Sequence, residues 1–331
     1  MAYQLGLGSA NVVQLGVQTN STTPNTTSTI QLDCMSFSYD GAIGFITDPS
    51  ITTASCEAAV LPAGRSFKGS FKARLNIGGM TVKALGAILG VVTGTGAAGT
   101  PYVIADATPA WWTIKCNRGG YNTTSGACEL ISGVVFEGMT LSCAAGSGDA
   151  GMATVDFTFS GSTLAVGGTL TSLSSDAAVP CYFAVIDAVT ISNGVNTVGS
   201  LADWRPTSVS IEYKRPVMTP DMYLTSLSLD PPTPSGPATC EWKWEGRLTN
   251  ADQITNVIGT MVPTQGLALK FINGTNKSML LKSATTPANT SCSAYSTKVE
   301  GYGAVTESIS WRCGHNASDA GAIKVTTIVS A

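Results

Sequence analysis

The stretch "MTLSCAAGSGDAGMATVDF", Met139 to Phe157, decides how this chain is read. Apolar residues alternate into it as Met139, Leu141 and Cys143, and out of it as Ala153, Val155 and Phe157. Between them lies a run of small and polar residues that ends Asp149-Ala150-Gly151. Period-two alternation on both sides of a Gly/Ser/Asp cluster predicts a β-hairpin with one buried face. Asp-Ala-Gly suits a turn that needs positive φ. Near its other end the chain writes "CGHNASDAG", Cys313 to Gly321, the same Cys, five residues, Asp-Ala-Gly, 170 positions further on. The flanks match as well: Ile309, Trp311 and Cys313 precede it, and Ile323, Val325 and Thr327 follow. Each half is expected to close with the same hairpin.

The correspondence extends upstream. "GSFKARLNI", Gly69 to Ile77, alternates Phe71, Ala73 and Leu75 against Lys72, Arg74 and Asn76, which predicts a half-buried strand. "TCEWKWEGRL", Thr239 to Leu248, does the same with Cys240, Trp242 and Trp244, at an offset of 169. Leu85, Ile88, Leu89 and Val92 then follow helical spacing, as do Ile254, Val257, Ile258 and Met261. These predict helices over 83–93 and 250–261, the second opened by a capping-box-like Thr249 and Asp252. Strand, helix and hairpin recur in one order at a nearly constant offset, 169 to 170, which predicts an internal duplication. Between helix and hairpin the copies diverge. "TGTGAAGTPYVIADATPAWW" and "NGTNKSMLLKSATTPANTSCSAYST" are expected to be loops inserted on a common framework.

The 331 residues suit two domains, each with its own core. Abundant Gly, Ser and Thr with short alternating strands predict a mainly β fold. Charged residues are only 12% of the chain, about half the usual share. Interface cores are depleted in charge, so the expectation is a surface largely covered by other subunits. With 18 basic residues scattered along the chain and a net charge of −3, no patch grips phosphates. The nine cysteines are odd in number and contain no C-x-x-C, which leaves no zinc-finger spacing. Cys116 and Cys128 are spaced so that a disulfide could close their loop, but mostly reduced thiols are the expectation. "MAYQLGLGSANVV" has neither a basic n-region nor a long apolar core, so no signal peptide is expected. Residues 84–105 are uncharged and contain Gly86-x-x-x-Gly90. Gly, Thr and Pro101 dilute them too far for a membrane span.

Catalytic chemistry finds little footing. The one histidine, His315, falls in the second Asp-Ala-Gly loop, where the first copy has Ala145, and it reads as a turn residue. A Ser-His-Asp or Cys-His site would need it. Asp149 and Asp319 repeat, but local backbone bonding in a turn explains them better than paired catalytic carboxylates. "GTGAAGT" lacks the Gly-Lys-Ser/Thr of a phosphate loop. No catalytic, cofactor-binding or metal-ligating residues are expected, and the chain is not expected to be an enzyme. Sequons at Asn20, Asn25, Asn122, Asn273, Asn276, Asn289 and Asn316 follow from a composition rich in Asn, Ser and Thr. Trp111, Trp112, Trp242, Trp244 and Trp311 read as core or interface anchors.

The pattern resembles the tail tube proteins of long-tailed, siphovirus-type bacteriophages, in the class whose subunit holds two tandem tube domains. "GSFKARLNIGGMTVKALGAILG", "ACELISGVVFEGMTLSC" running into "MATVDFTFSG", and "TSVSIEYKRP" carry it in the first half and across the boundary. "TCEWKWEGRLTNADQITNVIGTM" and "ESISWRCGHNASDAGAIKVTTI" carry it in the second. The resemblance implies a mainly β fold of two tandem β-sandwich or β-barrel-like tube domains, each flanked by one short α-helix. The expected division is an N-terminal arm with first strands over 1–60, tube domain 1 with a connecting hairpin over 61–199, and tube domain 2 over 200–331. It further implies a structural protein that stacks trimeric, pseudo-hexameric rings around a lumen. The implied location is the virion tail, assembled in the host cytoplasm. Expected partners are other copies of itself and tail proteins such as tape measure, tail terminator and distal tail proteins. Double-stranded DNA would cross the lumen without specific binding, and no membrane or cofactor is involved. The alternatives are another self-assembling viral β-sandwich, such as a capsid or decoration protein, and a secreted adhesin or glycan-binding module.

Overall fold

A computed structural model describes residues 12–47, 60–105, 107–117, 128–146, 151–173, 179–182, 186–192, 197–198, 205–218, 231–247, 266–273, 277–283, 290–299, 305–315 and 322–329. The first strands are β1 (Val12–Val17), β2 (Ile30–Leu32), β3 (Cys34–Thr47) and β4 (Val60–Arg74), followed by helix α1 (Gly79–Leu89). Next come β5 (Val91–Thr93), β6 (Tyr102–Ala105), β7 (Trp112–Asn117), β8 (Cys128–Ala144), β9 (Thr154–Gly161) and β10 (Thr163–Gly168). The chain continues through β11 (Ile186–Ser192), β12 (Thr197–Val198), β13 (Arg205–Lys214), β14 (Val217–Met218), β15 (Thr233–Pro234) and β16 (Thr239–Arg247). It finishes with β17 (Gly266–Ile272), β18 (Ser278–Ser283), β19 (Thr290–Lys298), β20 (Thr306–Cys313) and β21 (Ile323–Ile328).

Eight strands form one unbroken antiparallel layer in the order β19-β20-β16-β13-β8-β9-β4-β3. Four more join the same sheet through β8, as β10 on one side and β7-β1-β2 on the other. Strand β8 serves both groups because it is 17 residues long. Its first part pairs with β7 and β10, and its last part with β9 and β13. Between these parts Gly133 takes φ 61 and a register shift follows Phe136, the irregularities that let a strand change direction. A second, seven-stranded antiparallel sheet runs β12-β11-β17-β18-β21-β6-β5.

Alternation places the core. Phe71 and Ala73 on β4, Met139, Leu141 and Cys143 on β8, and Val155 and Phe157 on β9 are all at most 2% exposed. Cys240, Trp242 and Trp244 on β16 and Ile309 and Trp311 on β20 are wholly buried. They form one continuous cluster with Leu269, Phe271, Met279, Leu281 and Val325 of the seven-stranded sheet. The three tryptophans are core anchors, with Trp244 meeting Trp311 edge to face at 4.8 Å.

Several expectations need correction. The first Asp-Ala-Gly segment does join a hairpin, with Ser142 opposite Thr154. The second does not: β20 pairs with β16 and β19, whereas β21 lies in the other sheet beside β18 and β6. Alternation reports a half-buried strand, not which strand lies beside it. Asp149 and Asp319 themselves lie outside the described residues, as does the helix expected over 250–261. The helix expected over 83–93 runs from Gly79 to Leu89, and Val92 belongs to β5. Gly90 sets that limit, because at φ 147 a Cβ there would sit 1.9 Å from the Ala105 carbonyl oxygen. No helix among the described residues is long and apolar enough to cross a membrane.

Both expected loop inserts contain strands. Tyr102–Ala105 is β6, and "SMLLKS" and "TSCSAYSTK" are β18 and β19. Within residues 12–47 lie the first strands, β1 to β3. Val13 and Leu15 on β1 are fully buried between β2 and β7. The polar stretch after β1 folds back, with the Asn25 side chain donating to the Val17 carbonyl at 2.5 Å. The fully buried Lys115 ammonium donates to the carbonyls of Thr26 and Thr169.

Candidate assembly surface

The eight-stranded layer buries one face and leaves the other open. One transverse row of the open face reads Ser36, Lys72, Asp156, Thr140, Glu212, Glu241, Arg312 and Ser291, one residue from each strand. Hydroxyls dominate the neighbouring rows: Ser142, Thr154, Ser210 and Ser310 on one side, Ser38, Ser70 and Thr158 on the other. Cations here stand beside carboxylates. Lys72 meets Asp156 at 3.6 Å, Lys214 meets Glu212 at 2.7 Å, and Lys243 meets Glu245 at 2.6 Å. The bond from Lys243 holds the Glu245 carboxyl below its usual range, helped by Ser208. These exposed pairs add little stability. Their consequence is electrostatic, since each neutralises a cation that would otherwise attract a polyanion.

The layer also has two open edges. Strand β3 pairs only with β4, and β19 only with β20, among the described residues. They are 14 and 9 residues long. The other free edges among the described residues are short: three residues in β2 and β5, two in β12, β14 and β15, six in β10. Charge is sparse on the long edges, with Asp40 on β3 and Lys298 on β19. Both carry half-buried core-side residues, Phe37 and Tyr39 on β3 and Cys292 and Tyr295 on β19. Phe37 stacks on Phe159 at 6.1 Å, and the Tyr295 hydroxyl donates to Glu307 at 3.3 Å. Burial, then the charge of Glu307, pushes the Tyr295 hydroxyl up to about 12. A long, nearly uncharged edge is a template for another strand unless something covers it.

Of the residues weighed for chemistry, His315, Cys116 and Cys128 lie among the described residues, and Asp149 and Asp319 do not. His315 lines a cleft with Tyr213 and Arg215. Arg215 is 8% exposed and donates to the Tyr213 hydroxyl at 3.0 Å. It also borders a cleft of about 350 Å³ between α1 and residues 107–110, which no carboxylate lines among the described residues. Cys116 and Cys128 are buried free thiols rather than a disulfide, and Cys128 donates to the Gly168 carbonyl at 2.8 Å. No group of three or more His, Cys, Asp or Glu that could hold a metal occurs among the described residues. The two open edges do carry a signal in the sequence. "SFSY" in β3 and "SCSAYS" in β19 alternate serine with aromatic or thiol side chains, the mark of a half-buried strand. Compared with known protein families and with curated proteins, the chain matches none.

Proposed function

We propose that the chain is a structural subunit of a phage-type tail tube, made of two tandem tube domains and closing with copies of itself into stacked rings. The observation that carries this reading is the order of the eight-stranded layer. The run β3-β4-β9-β8 is followed, head to tail, by β13-β16-β20-β19. In each run an early hairpin supplies the first two strands and a later hairpin the last two. The second strands of the two hairpins lie side by side in both. The runs meet where β8 pairs with β13, from Gly138 opposite Lys214 to Ala144 opposite Ser208. A module whose last strand pairs with the first strand of an identical module propagates, and it closes into a ring where the rotation per module allows.

Three chains would supply 24 strands. At ~4.8 Å between strands they enclose a barrel about 37 Å across at the backbone, before strand tilt widens it. The open face, rich in hydroxyls and paired charges, lines the channel in this arrangement, and the seven-stranded sheet lies outside. Such a lining lets DNA pass without holding it. Partners are further copies of the chain and the other proteins of a virion tail, and no catalytic group takes part. Negative-stain images of concentrated protein test the reading: hollow tubes or rings are expected, with three chains per ring. Closed shells would point instead to a capsid-type protein, and monodisperse particles would overturn self-assembly.

A further inference from the structure

The internal joint contains more than evidence of propagation; it specifies which surfaces meet between chains. We infer that adjacent copies join through β3 of one and β19 of the next, antiparallel, with the core-side residues of both edges facing the same core. This inference rests on the ring reading and identifies its contact. In the layer, β8 is the last strand of the first run and β13 the first strand of the second. Strand β19 holds the place of β8 in the second run, and β3 holds the place of β13 in the first. The joint that exists once within the chain is therefore available once more at its two ends.

A single transverse row shows the match. Phe37, Phe71, Phe157 and Met139 stand opposite one another across the first run, and Tyr213, Cys240, Cys313 and Thr290 continue the row across the second. All eight side chains are buried or half-buried, so the row is core-facing from edge to edge. Both edges also bear a bulge at the same kind of site. The Cys34 thiol donates to the Ser36 carbonyl at 3.0 Å and the Cys292 thiol to the Ala294 carbonyl at 3.5 Å. The register shifts at these two positions in the two strands. Bulges bend and twist an edge, which restricts the strands that fit it and favours a matched partner over indiscriminate pairing. Among the described residues every other sheet edge ends in a shorter strand, so the β3–β19 contact has no rival of comparable length there.

Native cysteines make the contact testable. Cys34 lies on β3 and Cys292 on β19, both half-buried, whereas the other described cysteines are at most 5% exposed. A Cys56→Ser background removes the one cysteine outside the described residues. Full-length protein is assembled, treated with a bismaleimide spanning about 13 Å, the reach of four residues along a strand at ~3.3 Å each, and then denatured. Each link forms by addition of two thiols across two maleimide double bonds, with no oxidant required. A ladder up to the ring's full complement is expected. Cys34→Ser alone and Cys292→Ser alone should each leave only monomers, while an equimolar co-assembly of the two should stop at covalent dimers. Dimers from either single variant would mean that like edges meet, and would overturn the inference. Rings on the grids without any ladder would overturn the β3–β19 contact and leave the ring standing. Monomers on the grids would overturn both.

Discussion

Replacing Trp244 by alanine tests the part of the layer on which both halves depend. Trp244 sits mid-strand on β16, opposite Val209 of β13 on one side and Ile309 of β20 on the other. It is fully buried, meets Trp311 edge to face at 4.8 Å and tilts against Trp242 at 6.2 Å. Truncating a buried tryptophan costs about 3–5 kcal/mol, because the removed ring leaves a cavity as well as lost transfer energy. The edge-to-face contact contributes about 1 kcal/mol of that. Against a total stability of about 5–15 kcal/mol, Trp244→Ala removes a large share. Urea unfolding, followed by far-ultraviolet circular dichroism at a concentration too low for assembly, measures the loss. With an m-value near 3 kcal/mol/M the midpoint falls by roughly 1 M or more. Trp244→Phe keeps a ring in the seat and should lose less than half as much. Lys243→Ala, the next residue and on the open face, should change stability by less than about 0.5 kcal/mol. A Trp244→Ala loss under about 1 kcal/mol, or a Lys243→Ala loss as large, would refute the assignment of faces.

Gly90→Ala should destabilise the chain by about 2 kcal/mol or more, since its Cβ meets the Ala105 carbonyl oxygen in a positive-φ conformation; an unchanged melting temperature would refute the turn. Lys115→Met should cost about 2–4 kcal/mol, because the carbonyls of Thr26 and Thr169 lose a charged donor inside the fold, and denaturant titration reads it. Burial pushes the Cys143 thiol up from 9.0 to about 11. A raised thiol pKa gives stability that is complete below pH 9 and is lost as pH rises through 11, on the order of 2–3 kcal/mol for this group. Cys143→Ala should therefore flatten the alkaline limb of a stability–pH profile between pH 9 and 11; an unchanged limb would show that the thiol titrates normally.

The sequence made the buried faces legible and left their neighbours hidden. Phe71, Ala73, Trp242, Trp244, Leu141 and Val155 announce themselves through period two, and each is buried. Pairing is a long-range property that one strand's alternation does not encode, which is why the hairpin expected at Cys313 is a crossover to the other sheet. "SMLLKS" was hidden for a different reason. Set among Asn, Thr and Pro, its composition reads as loop, yet Met279 and Leu281 are fully buried by β17 and β21 on either side. Tertiary pairing overrides composition there. Strands were expected within 1–60, but Val13 and Leu15 are too few to place β1 by periodicity alone. Of the candidate assembly surface, the low overall charge was visible, and the two edges were not, since an edge is defined by the absence of a neighbour.

The order of the layer also separates two alignments of the halves. Both place β4 with β16, and Phe71 and Cys240 do share one row. The 170-residue offset then equates β8 with β20, whereas the order of strands equates β8 with β19 and β9 with β20. Only the second alignment leaves the chain with ends that match its own middle. In the proposed ring this makes half of the joints internal. The β8–β13 joint forms during folding and carries no cost in translational freedom, while each β3–β19 joint must overcome that cost from a comparable set of backbone bonds. Covalent linkage thus stabilises every second joint and leaves assembly limited by the edges. The two kinds of joint should separate experimentally. Ile211→Ala, facing Leu141 across the internal joint, should lower the stability of the isolated subunit by about 2–5 kcal/mol. Tyr295→Lys on β19 places a charge where another core-facing edge would pack and removes the hydroxyl bonded to Glu307, so it should abolish rings while lowering the urea midpoint of the isolated subunit less than Ile211→Ala does. If Tyr295→Lys subunits stayed folded and assembled normally, the edges would not be where the chains meet.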